Sequence, residues 1–246
     1  MIQTQTASFS AERPESIPSN SRSDTMSIDF TGKVALCTGA ASGIGRATAI
    51  KLASLGATLS LQDINASGLT ETLKQCKGSG HYSETFDVSS SASCNSFIQS
   101  TVDKLGRLDY VFNCAGINPT AYPLTSTTDE YFDKLVSVNL KGTYNITRAA
   151  MAVMKEGAAF VNVSSIMGIN VAAEYAIYCM TKFGIVGFSK AMAMELGPKV
   201  CSTPYLPCSL RLQKLDIRAD IAIILGHPGE RSSTRVHRHA NKYELI

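Results

Sequence analysis

The stretch TGAASGIG, residues 38–45, decides the fold of this chain, because it joins a short apolar run to a helical pattern. Residues 34–38 have the character of a buried strand, and residues 44–55 place apolar side chains at helical spacing. Gly39 permits a tight turn out of the strand, Gly43 lets the backbone approach a phosphate, and Gly45 permits close packing of the helix on the strand. The stretch therefore predicts a strand, a turn and a helix whose N-terminus faces an anionic group.

The alternation of short apolar runs and helical patterns continues to residue 199. Further strand-like runs cover 58–61, 82–86, 108–112 and 158–163, and helical patterns cover 69–76, 97–105, 129–154 and 175–196. The pattern over 129–154 is interrupted near Gly142. This alternation predicts an α/β fold: a doubly wound parallel sheet with helices on both faces, in a single Rossmann-type domain.

The 246 residues suit one such domain flanked by two different segments. Residues 1–28 are rich in Ser, Thr and Pro and are predicted to be a disordered tail. The domain itself is assigned to 29–199. Residues 200–246 form a divergent C-terminal segment that ends in a basic stretch and is predicted to be partly disordered.

Composition excludes several classes of function. A net charge of +3 is too small to favour nucleic acid or an anionic membrane as partner. No stretch is apolar for long enough to cross a bilayer, and the N-terminus lacks the apolar segment of a secretory signal, so we expect a cytoplasmic protein. The seven cysteines include no C-x-x-C pair, which favours reduced thiols and no metal site.

Polar or glycine-rich groups follow the predicted strands, where a doubly wound sheet binds its ligands. Asp63 ends the second strand, and residues 87–88, 113–116 and 164–165 follow the next three. A carboxylate in the position of Asp63 can accept hydrogen bonds from ribose hydroxyls and would repel a 2′-phosphate. Because no Arg or Lys stands beside Asp63 or at 41–42, the sequence favours NAD(H) over NADP(H).

A phenol and an ammonium group share one helical face, since Tyr178 and Lys182 are four residues apart. A free phenol has a pKa of about 10, and a nearby Lys⁺ lowers it. Ser165 lies thirteen residues before Tyr178, after the fifth strand, and a short loop returns the chain. Ser165 is therefore predicted to face Tyr178 across a pocket.

Taken together, five motifs resemble the short-chain dehydrogenase/reductase family in order and spacing. They are T-G-x-x-x-G-x-G at 38–45, N-x-A-G at 113–116, the Asn of S-V-N-L at 139, Ser-Ser at 164–165 and Y-x-x-x-K at 178–182. The resemblance implies hydride transfer with Tyr178 as general acid/base and Ser165 hydrogen-bonded to the reacting oxygen. It also implies that Lys182 lowers the Tyr178 pKa and binds nicotinamide ribose, and that Asn139 holds a water of a proton relay.

The same resemblance implies that residues of the glycine loop, of the strand ends and of the helix with Tyr178 contact NAD. NADP is the less favoured cofactor. These contacts are Thr38, Gly39, Ser42, Gly43, Ile44, Gly45, Asp63, Asp87, Val88, Asn113, Ala115, Gly116, Ile117, Tyr178 and Lys182. Asp87 and Val88 would lie near adenine, and Ile117 would flank a ribose. The resemblance also implies a homo-dimer or homo-tetramer that forms through the two long helices, here 129–154 and 175–196.

The substrate pocket is assigned to segments 119–124 and 167–174, which are mostly apolar. A hydrophobic secondary alcohol or ketone, such as a secondary metabolite, is the expected small-molecule substrate. Two alternatives stay open: a catalytically impaired relative with a cofactor-binding or structural role, and an NADPH-dependent carbonyl or enoyl reductase. The impaired relative stays open because the resemblance ends after residue 199, where no sixth or seventh strand is recognised, although 221–225 could pair as a strand.

Overall fold

The computed structural model describes residues 29–117, 119–197 and 201–205, which build a six-stranded sheet of order β3-β2-β1-β4-β5-β6. All neighbouring strands are parallel. The strands are β1 Val34–Thr38, β2 Thr58–Asp63, β3 Tyr82–Thr85, β4 Tyr110–Asn113, β5 Ala159–Val163 and β6 Cys201–Tyr205. The order reverses between β1 and β4, which is where such sheets open a ligand crevice. The predicted fold class is confirmed.

Helices connect the strands, and most of them agree with the predicted patterns. They are α1 Gly43–Ser54, α2 Ala66–Gln75, α3 Ser91–Leu105, α4 Asp129–Leu135, α5 Thr143–Met151 and α6 Ala176–Leu196. A π-helical segment, Val136–Gly142, joins α4 to α5, so the single pattern over 129–154 is three consecutive pieces. Polar side chains begin several helices, as where Asn65 accepts a hydrogen bond from the Gly68 N–H.

Two buried clusters cover the two faces of the sheet. Neighbouring residues of β1 alternate between them, so Cys37 packs on the face of α1 and α2 while Leu36 packs on the face of α3 and α5. The strand is buried on both faces, which explains why the sequence there is an uninterrupted apolar run. The C-terminal strand ends are thereby held at one edge of the sheet.

The expectation that no sixth strand follows residue 199 is wrong. Strand β6 pairs in parallel with β5, and the Ser164 N–H donates to the Tyr205 carbonyl at 2.7 Å. The segment escaped detection because C-S-T-P-Y has no apolar run and contains Pro204. Proline is tolerated at a sheet edge, where its missing N–H needs no partner. The predicted tail at 1–28, the predicted segment at 200–246 apart from 201–205, the seventh strand and 221–225 lie outside the described residues.

Cysteine and metal chemistry can be judged only for the part of the chain described above. Five of its cysteines, at 37, 76, 94, 114 and 179, are free thiols. Within the same ranges, no three His, Cys, Asp or Glu side chains are grouped so that they could hold a metal ion. A search of these residues also found no helix with the length and apolar character needed to span a membrane.

Candidate active site

A cavity of about 600 Å³ opens at the carboxyl ends of the strands. It brings together most residues that the sequence analysis assigned to the site: Gly39, Ser42, Gly43, Ile44, Gly45, Asp63, Asp87, Val88, Ala115, Gly116, Ile117, Ser165, Tyr178 and Lys182. The cavity is also lined by residues outside the predicted set of site residues: Gln62, Ile64, Cys114, Lys134, Val138, Val163 and Ser164. The glycine loop and the Y-x-x-x-K helix therefore share one cavity.

The glycine loop turns tightly because three glycines meet different geometric demands. Gly39 and Gly43 have φ of +65° and +52°, a region that disfavours residues with a Cβ. A Cβ on Gly45 would lie 2.1 Å from the Gly39 carbonyl oxygen, so helix α1 and the turn touch through backbone alone. A Cβ on Gly43 would meet nothing within 4 Å, so this part of the loop is open to a ligand.

The start of α1 fits a pyrophosphate group. Ser42 is the N-cap, and its side chain makes no capping hydrogen bond. The first N–H groups of a helix have no partner within the helix, and the helix dipole favours an anion there. With the open backbone at Gly43, this donor set suits the phosphates of a dinucleotide.

Asp63 is fixed against the glycine loop by two backbone groups. Its carboxylate accepts from the Ala41 N–H at 2.9 Å and from the Asn65 N–H at 3.0 Å. A carboxylate has about four lone-pair sites, so acceptor capacity remains on the cavity side. Asp63 therefore lines the cavity with acceptor capacity to spare.

Arg46 lies close to the same loop and was missed, because the sequence reasoning looked for a cation only beside Asp63 and at 41–42. Its guanidinium donates to the Ala41 carbonyl, to Thr72 Oγ1 at 3.1 Å and to the Gly68 carbonyl at 3.4 Å. Arg46 does not line the cavity. Its donors instead join the glycine loop to α2.

Thr38 and Asn113 support the cavity without lining it. The Thr38 hydroxyl oxygen accepts from the N–H groups of residues 114 and 115, both at 3.1 Å. Asn113 Nδ2 donates to Thr147 Oγ1 at 3.0 Å and to Asn162 Oδ1 at 2.9 Å, and Asn162 Nδ2 donates to Ser189 Oγ at 2.9 Å. This buried network connects β4 and β5 to α5 and α6.

Lys182 lies on the buried side of α6. Only 6% of the residue is exposed, and its Nζ donates to the Val163 carbonyl at 3.0 Å. Nζ lies 5.6 Å from the centre of the Tyr178 ring. Burial lowers the pKa of Lys182 to about 8, because the charged form loses its hydration.

The pKa of Tyr178 is raised, opposite to the expected effect of Lys182. Burial is the largest cause, and a hydrogen bond with Ser165 acts in the lowering direction. Lys182 is not among the causes of this shift, and its ammonium group donates to the Val163 carbonyl. At neutral pH the phenol therefore retains its proton.

The two adjacent serines have different partners. Ser164 Oγ donates to the Lys182 carbonyl at 2.7 Å and is 2% exposed. Ser165 Oγ accepts from the Met167 N–H at 3.2 Å and also bonds Tyr178. The structure thus leaves Ser165, the predicted member of the pair, beside the phenol.

Asn139 lies behind the cavity wall, in the π-helical segment. Its Oδ1 accepts from the Ile117 N–H at 2.7 Å, and its Nδ2 donates to the Ile117 carbonyl at 3.1 Å. The residue is 1% exposed and does not line the cavity. Its direct effect is to fix the backbone of Ile117, which does line it.

The predicted substrate segments meet beside Tyr178. The Tyr122 N–H donates to the Glu174 carbonyl at 3.0 Å, and Glu174 holds a left-handed backbone with φ of +67°. Tyr131 packs edge-on against Tyr122 and bonds Thr120 through its hydroxyl. The exposed apolar side chains Leu124, Ile169 and Val171 belong to these segments or adjoin them.

The sequence matches known proteins over most of the described region. The model of the family described as short chain dehydrogenase matches residues 33–204. The chain is similar to levodione reductase of Leifsonia aquatica, with 36% identity over 174 residues that cover 68% of this chain and 65% of that enzyme. It is also similar to short-chain dehydrogenase/reductase aba4 of Botryotinia fuckeliana (strain B05.10), with 36% identity over 222 residues that cover 82% and 86% of the two chains.

Solved structures agree with the sequence matches. Carveol dehydrogenase from Mycobacterium avium in complex with NAD superposes with a TM-score of 0.68 and 28% identity, covering 72% of this chain and 70% of that one. A short-chain dehydrogenase from Burkholderia cenocepacia J2315 in complex with NADP gives a TM-score of 0.68 and 26% identity, covering 71% and 73%. The neighbours thus include complexes with both cofactors. The chain belongs to the short-chain dehydrogenase/reductase family, whose members are NAD(P)-binding oxidoreductases acting on CH–OH groups.

Proposed function

We propose that this chain transfers a hydride between NAD(H) and the carbon of a secondary alcohol or ketone. The supporting observation is that Ser165, Tyr178 and Lys182 line the same cavity as the glycine loop and Asp63. When bound, the nicotinamide supplies or accepts the hydride. The residues of the chain orient the substrate oxygen and move its proton.

Tyr178 is the general acid/base of this proposal. In the reductive direction, the phenol gives its proton to the carbonyl oxygen while hydride reaches the carbonyl carbon, and an alcohol results. Ser165 donates a hydrogen bond to the same oxygen and stabilises its developing negative charge. Because burial raises the pKa of Tyr178, the phenol starts in the protonated form that reduction needs.

Lys182 and Asn139 complete the proposed proton path. Lys182, held by the Val163 carbonyl, would bind the hydroxyls of the nicotinamide ribose and favour the phenolate once the proton has left. Asn139 would hold the relay water only through its remaining hydrogen-bonding capacity, since its side-chain oxygen and nitrogen both bind Ile117. Through Ile117, Asn139 also supports the cavity wall.

Asp63 supports NAD(H) as the preferred cofactor. Its carboxylate is anchored by the N–H groups of Ala41 and Asn65 and faces the cavity that holds the glycine loop. A 2′-phosphate would bring negative charge against it, and the Nε and Nη2 groups of Arg46 donate to Thr72 and to backbone carbonyls outside the cavity lining. NADP(H) is thus proposed to bind more weakly.

A hydrophobic alcohol or ketone, such as a secondary metabolite, is the proposed substrate. Exposed apolar side chains stand in the segments assigned to the substrate pocket, as at Leu124 and Val171, which are 65% and 77% exposed. Burying such surface against an apolar substrate would favour binding. The likeness to a levodione reductase and to a carveol dehydrogenase supports an alcohol or ketone group in that substrate.

A homo-oligomer through the long helices is also proposed. Helix α6 exposes Met180, Phe183 and Met194, and the neighbouring helices expose Phe132 and Tyr144. Large apolar side chains grouped on helix faces are typical of protein contacts. Light scattering of the purified chain would give the mass, and a monomer at micromolar concentration would contradict this part of the proposal.

Thermal unfolding with and without NADH and NADPH tests the cofactor half of the proposal. A ligand that binds only the native state raises the unfolding midpoint, by an amount that grows with the logarithm of its affinity. We expect a cooperative transition that NADH shifts more than NADPH at equal concentration. A larger shift with NADPH would contradict the assignment of Asp63. Shifts with neither cofactor would contradict the function itself, whereas steady oxidation of a secondary alcohol with NAD⁺ would support the full reaction.

A further inference from the structure

The peptide unit between residues 40 and 41 of the glycine loop is held at both of its ends. Its carbonyl, on Ala40, accepts a hydrogen bond from Thr72 Oγ1 at 2.8 Å. Its N–H group, on Ala41, donates to Asp63 Oδ2 at 2.9 Å. Because a peptide unit is planar, the direction of the carbonyl fixes the direction of the N–H group. Thr72 and Asp63 therefore hold the same rigid plane from opposite ends.

The hydrogen of the Thr72 hydroxyl is directed toward this carbonyl by the groups around it. Arg46 Nε donates to Thr72 Oγ1 at 3.1 Å, so the oxygen acts as an acceptor on that side. Oγ1 also lies 3.0 Å from the Gly68 carbonyl, which has a second donor in Arg46 Nη2 at 3.4 Å. The distance to the Ala40 carbonyl is the shorter one. The hydroxyl therefore links the Arg46 guanidinium to the glycine loop.

Thr72 does not line the cavity that it supports. It lies on α2, is 0% exposed and is absent from the cavity wall. One turn earlier on the same helix, a Cβ on Gly68 would lie 2.7 Å from the Ala41 Cβ, so α2 and the glycine loop are in close contact. Asp63 and the loop glycines do line the cavity. Thr72 can therefore affect a bound cofactor only through the groups that it holds in place.

The hydrogen bond from Ala41 orients the Asp63 carboxylate as well as the loop. The other carboxylate oxygen, Oδ1, accepts from the Asn65 N–H at 3.0 Å. Two N–H groups thus fix the plane of the carboxylate, and with it the lone pairs that remain for ribose hydroxyls. Since hydrogen bonds weaken steeply when they are misaligned, a tilt of the Ala40–Ala41 peptide unit would weaken the bonds between the carboxylate and a ribose. The negative charge of Asp63 would stay.

We propose that Thr72 is a positioning residue for cofactor selection, which acts on Asp63 through the peptide unit of residues 40 and 41. The proposal rests on the proposed function, because it requires that Asp63 favours NAD(H). Without the Thr72 hydroxyl, NADH loses well-aligned bonds from its ribose hydroxyls to the carboxylate. NADPH has a phosphate in place of the 2′-hydroxyl and still meets the charge of Asp63, so its affinity changes less. The ratio of the NADPH to the NADH dissociation constant therefore falls.

The test measures both dissociation constants by fluorescence titration of the full 246-residue chain. Thr72→Val removes the hydroxyl at nearly constant size and should lower the ratio roughly fivefold, the size of one hydrogen bond. Thr72→Ser keeps the hydroxyl and should keep the wild-type ratio. Thr101→Val is the matched control, because Thr101 is also fully buried on a helix but packs on the opposite face of the sheet, where it pairs with Ser60 Oγ at 2.7 Å.

A double variant tests whether Thr72 acts through Asp63. Residues that act through one another give non-additive effects, whereas independent residues give effects that add. Asp63→Asn alone should lower the ratio, and Thr72→Val added to it should lower the ratio clearly less than it does in the wild type. Two full, additive effects would overturn the proposal.

The ratio separates this role from damage to the fold. A loosened glycine loop weakens both dinucleotides together and leaves the ratio unchanged. An unchanged ratio in Thr72→Val, or the same fall in Thr72→Ser or Thr101→Val, would contradict the role of the hydroxyl. If Thr72→Val does not fold, the smaller Thr72→Ala gives the same comparison.

Failure of this proposal can be told from failure of the proposed function. A wild type that prefers NADH, with an unchanged ratio in Thr72→Val, contradicts only the role of Thr72. A wild type that prefers NADPH, or that binds neither dinucleotide, contradicts the proposed function and the role of Thr72 together.

Discussion

The cavity has two sides that position their groups by different means. The glycine-loop side is formed by residues of 39–45, and the proposed catalytic side contains Ser165, Tyr178 and Lys182. Near Gly39 and Gly45 the backbone itself forms the surface, and a Cβ at residue 45 would meet a carbonyl at 2.1 Å. On the other side, Ser164 and Lys182 are buried side chains fixed by hydrogen bonds to backbone carbonyls. Substitutions on the first side should therefore change shape and stability, whereas those on the second should change charge and proton transfer.

Replacement of Tyr178 by Phe should produce the largest effect on turnover, and it tests the proposed catalytic side of the cavity. The variant loses the proposed acid/base hydroxyl, so we expect kcat to fall roughly 10²–10⁴-fold. The dissociation constant for NADH should change little, because the glycine loop and Asp63 are untouched. Steady-state turnover and NADH titration measure the two quantities.

Tyr82→Phe is the control for this change. It also removes a phenol hydroxyl, in this case one that bonds Glu84 at 2.5 Å on the edge strand β3. Its turnover should match the wild type. Near wild-type turnover in Tyr178→Phe would refute the acid/base assignment.

The buried charge of Lys182 gives the next largest effect, on stability as a function of pH. Burial lowers its pKa to about 8 in the folded chain, against 10.5 for a free lysine. Between these values the unfolded chain binds more protons, so the free energy of unfolding should rise with pH over this window. At 1.36 kcal/mol per pH unit, the rise is on the order of 3 kcal/mol.

Lys182→Met should lack this rise. Comparing the two proteins by urea unfolding at several pH values from 7.5 upward cancels the titration of all other groups. Below the lowered pKa the variant should be the more stable protein with respect to this charge, since it avoids burying an ammonium group. If the free energies of unfolding of the two proteins changed with pH in parallel, the pKa of Lys182 would not be lowered in the folded chain, and this prediction would be wrong.

Gly45→Ala tests the glycine-loop side. The new methyl group would collide with the Gly39 carbonyl, which cannot move without opening the turn, and overpacking of this kind costs about 1–3 kcal/mol. Gly43→Ala meets no atom within 4 Å, so its cost should be limited to a left-handed backbone, about 1 kcal/mol. Urea unfolding should therefore rank Gly45→Ala below Gly43→Ala, and the reverse order would contradict the close packing at Gly45.

Asp63→Asn should have the smallest effect, on cofactor preference. Removing the negative charge at nearly constant size should lower the ratio of NADPH to NADH dissociation constants roughly tenfold, since charge repulsion near a surface is worth about 1 kcal/mol or more. Asp103→Asn, on the exposed face of α3, removes one charge elsewhere and should leave the ratio unchanged. A ratio that stays constant in Asp63→Asn would mean that Asp63 does not select the cofactor.

Local signals explain what could be predicted from the sequence. The glycines at 39, 43 and 45 act through backbone conformation and close contacts with nearby residues, so their spacing predicts the turn and the ligand edge. Tyr178 and Lys182 are related by one helical turn, so their common placement also follows from local geometry. The position of Ser165 after the fifth strand, with only a short loop before Tyr178, predicted that it shares their cavity, and the family resemblance implied its role.

Features that depend on distant partners could not be predicted. Strand β6 exists because β5 pairs with it, although its own sequence is a poor strand pattern. The pKa of Tyr178 depends on how deeply the phenol is buried, and the positions of Gln62 and Arg46 depend on Phe86, Gly68 and other residues far along the chain. No periodicity or motif within one segment encodes these contacts.

Among the residues that the structure describes, β6 is the outer strand of the sheet on one side, and Pro204 lies within it. The Tyr205 carbonyl bonds toward β5, and neighbouring residues of a strand direct their backbone groups to opposite sides, so the Pro204 nitrogen faces away from β5. A proline nitrogen carries no hydrogen to donate. Any strand laid along this side of β6, from this chain or from another molecule, would therefore lack a hydrogen bond at that position, which makes pairing there less favourable.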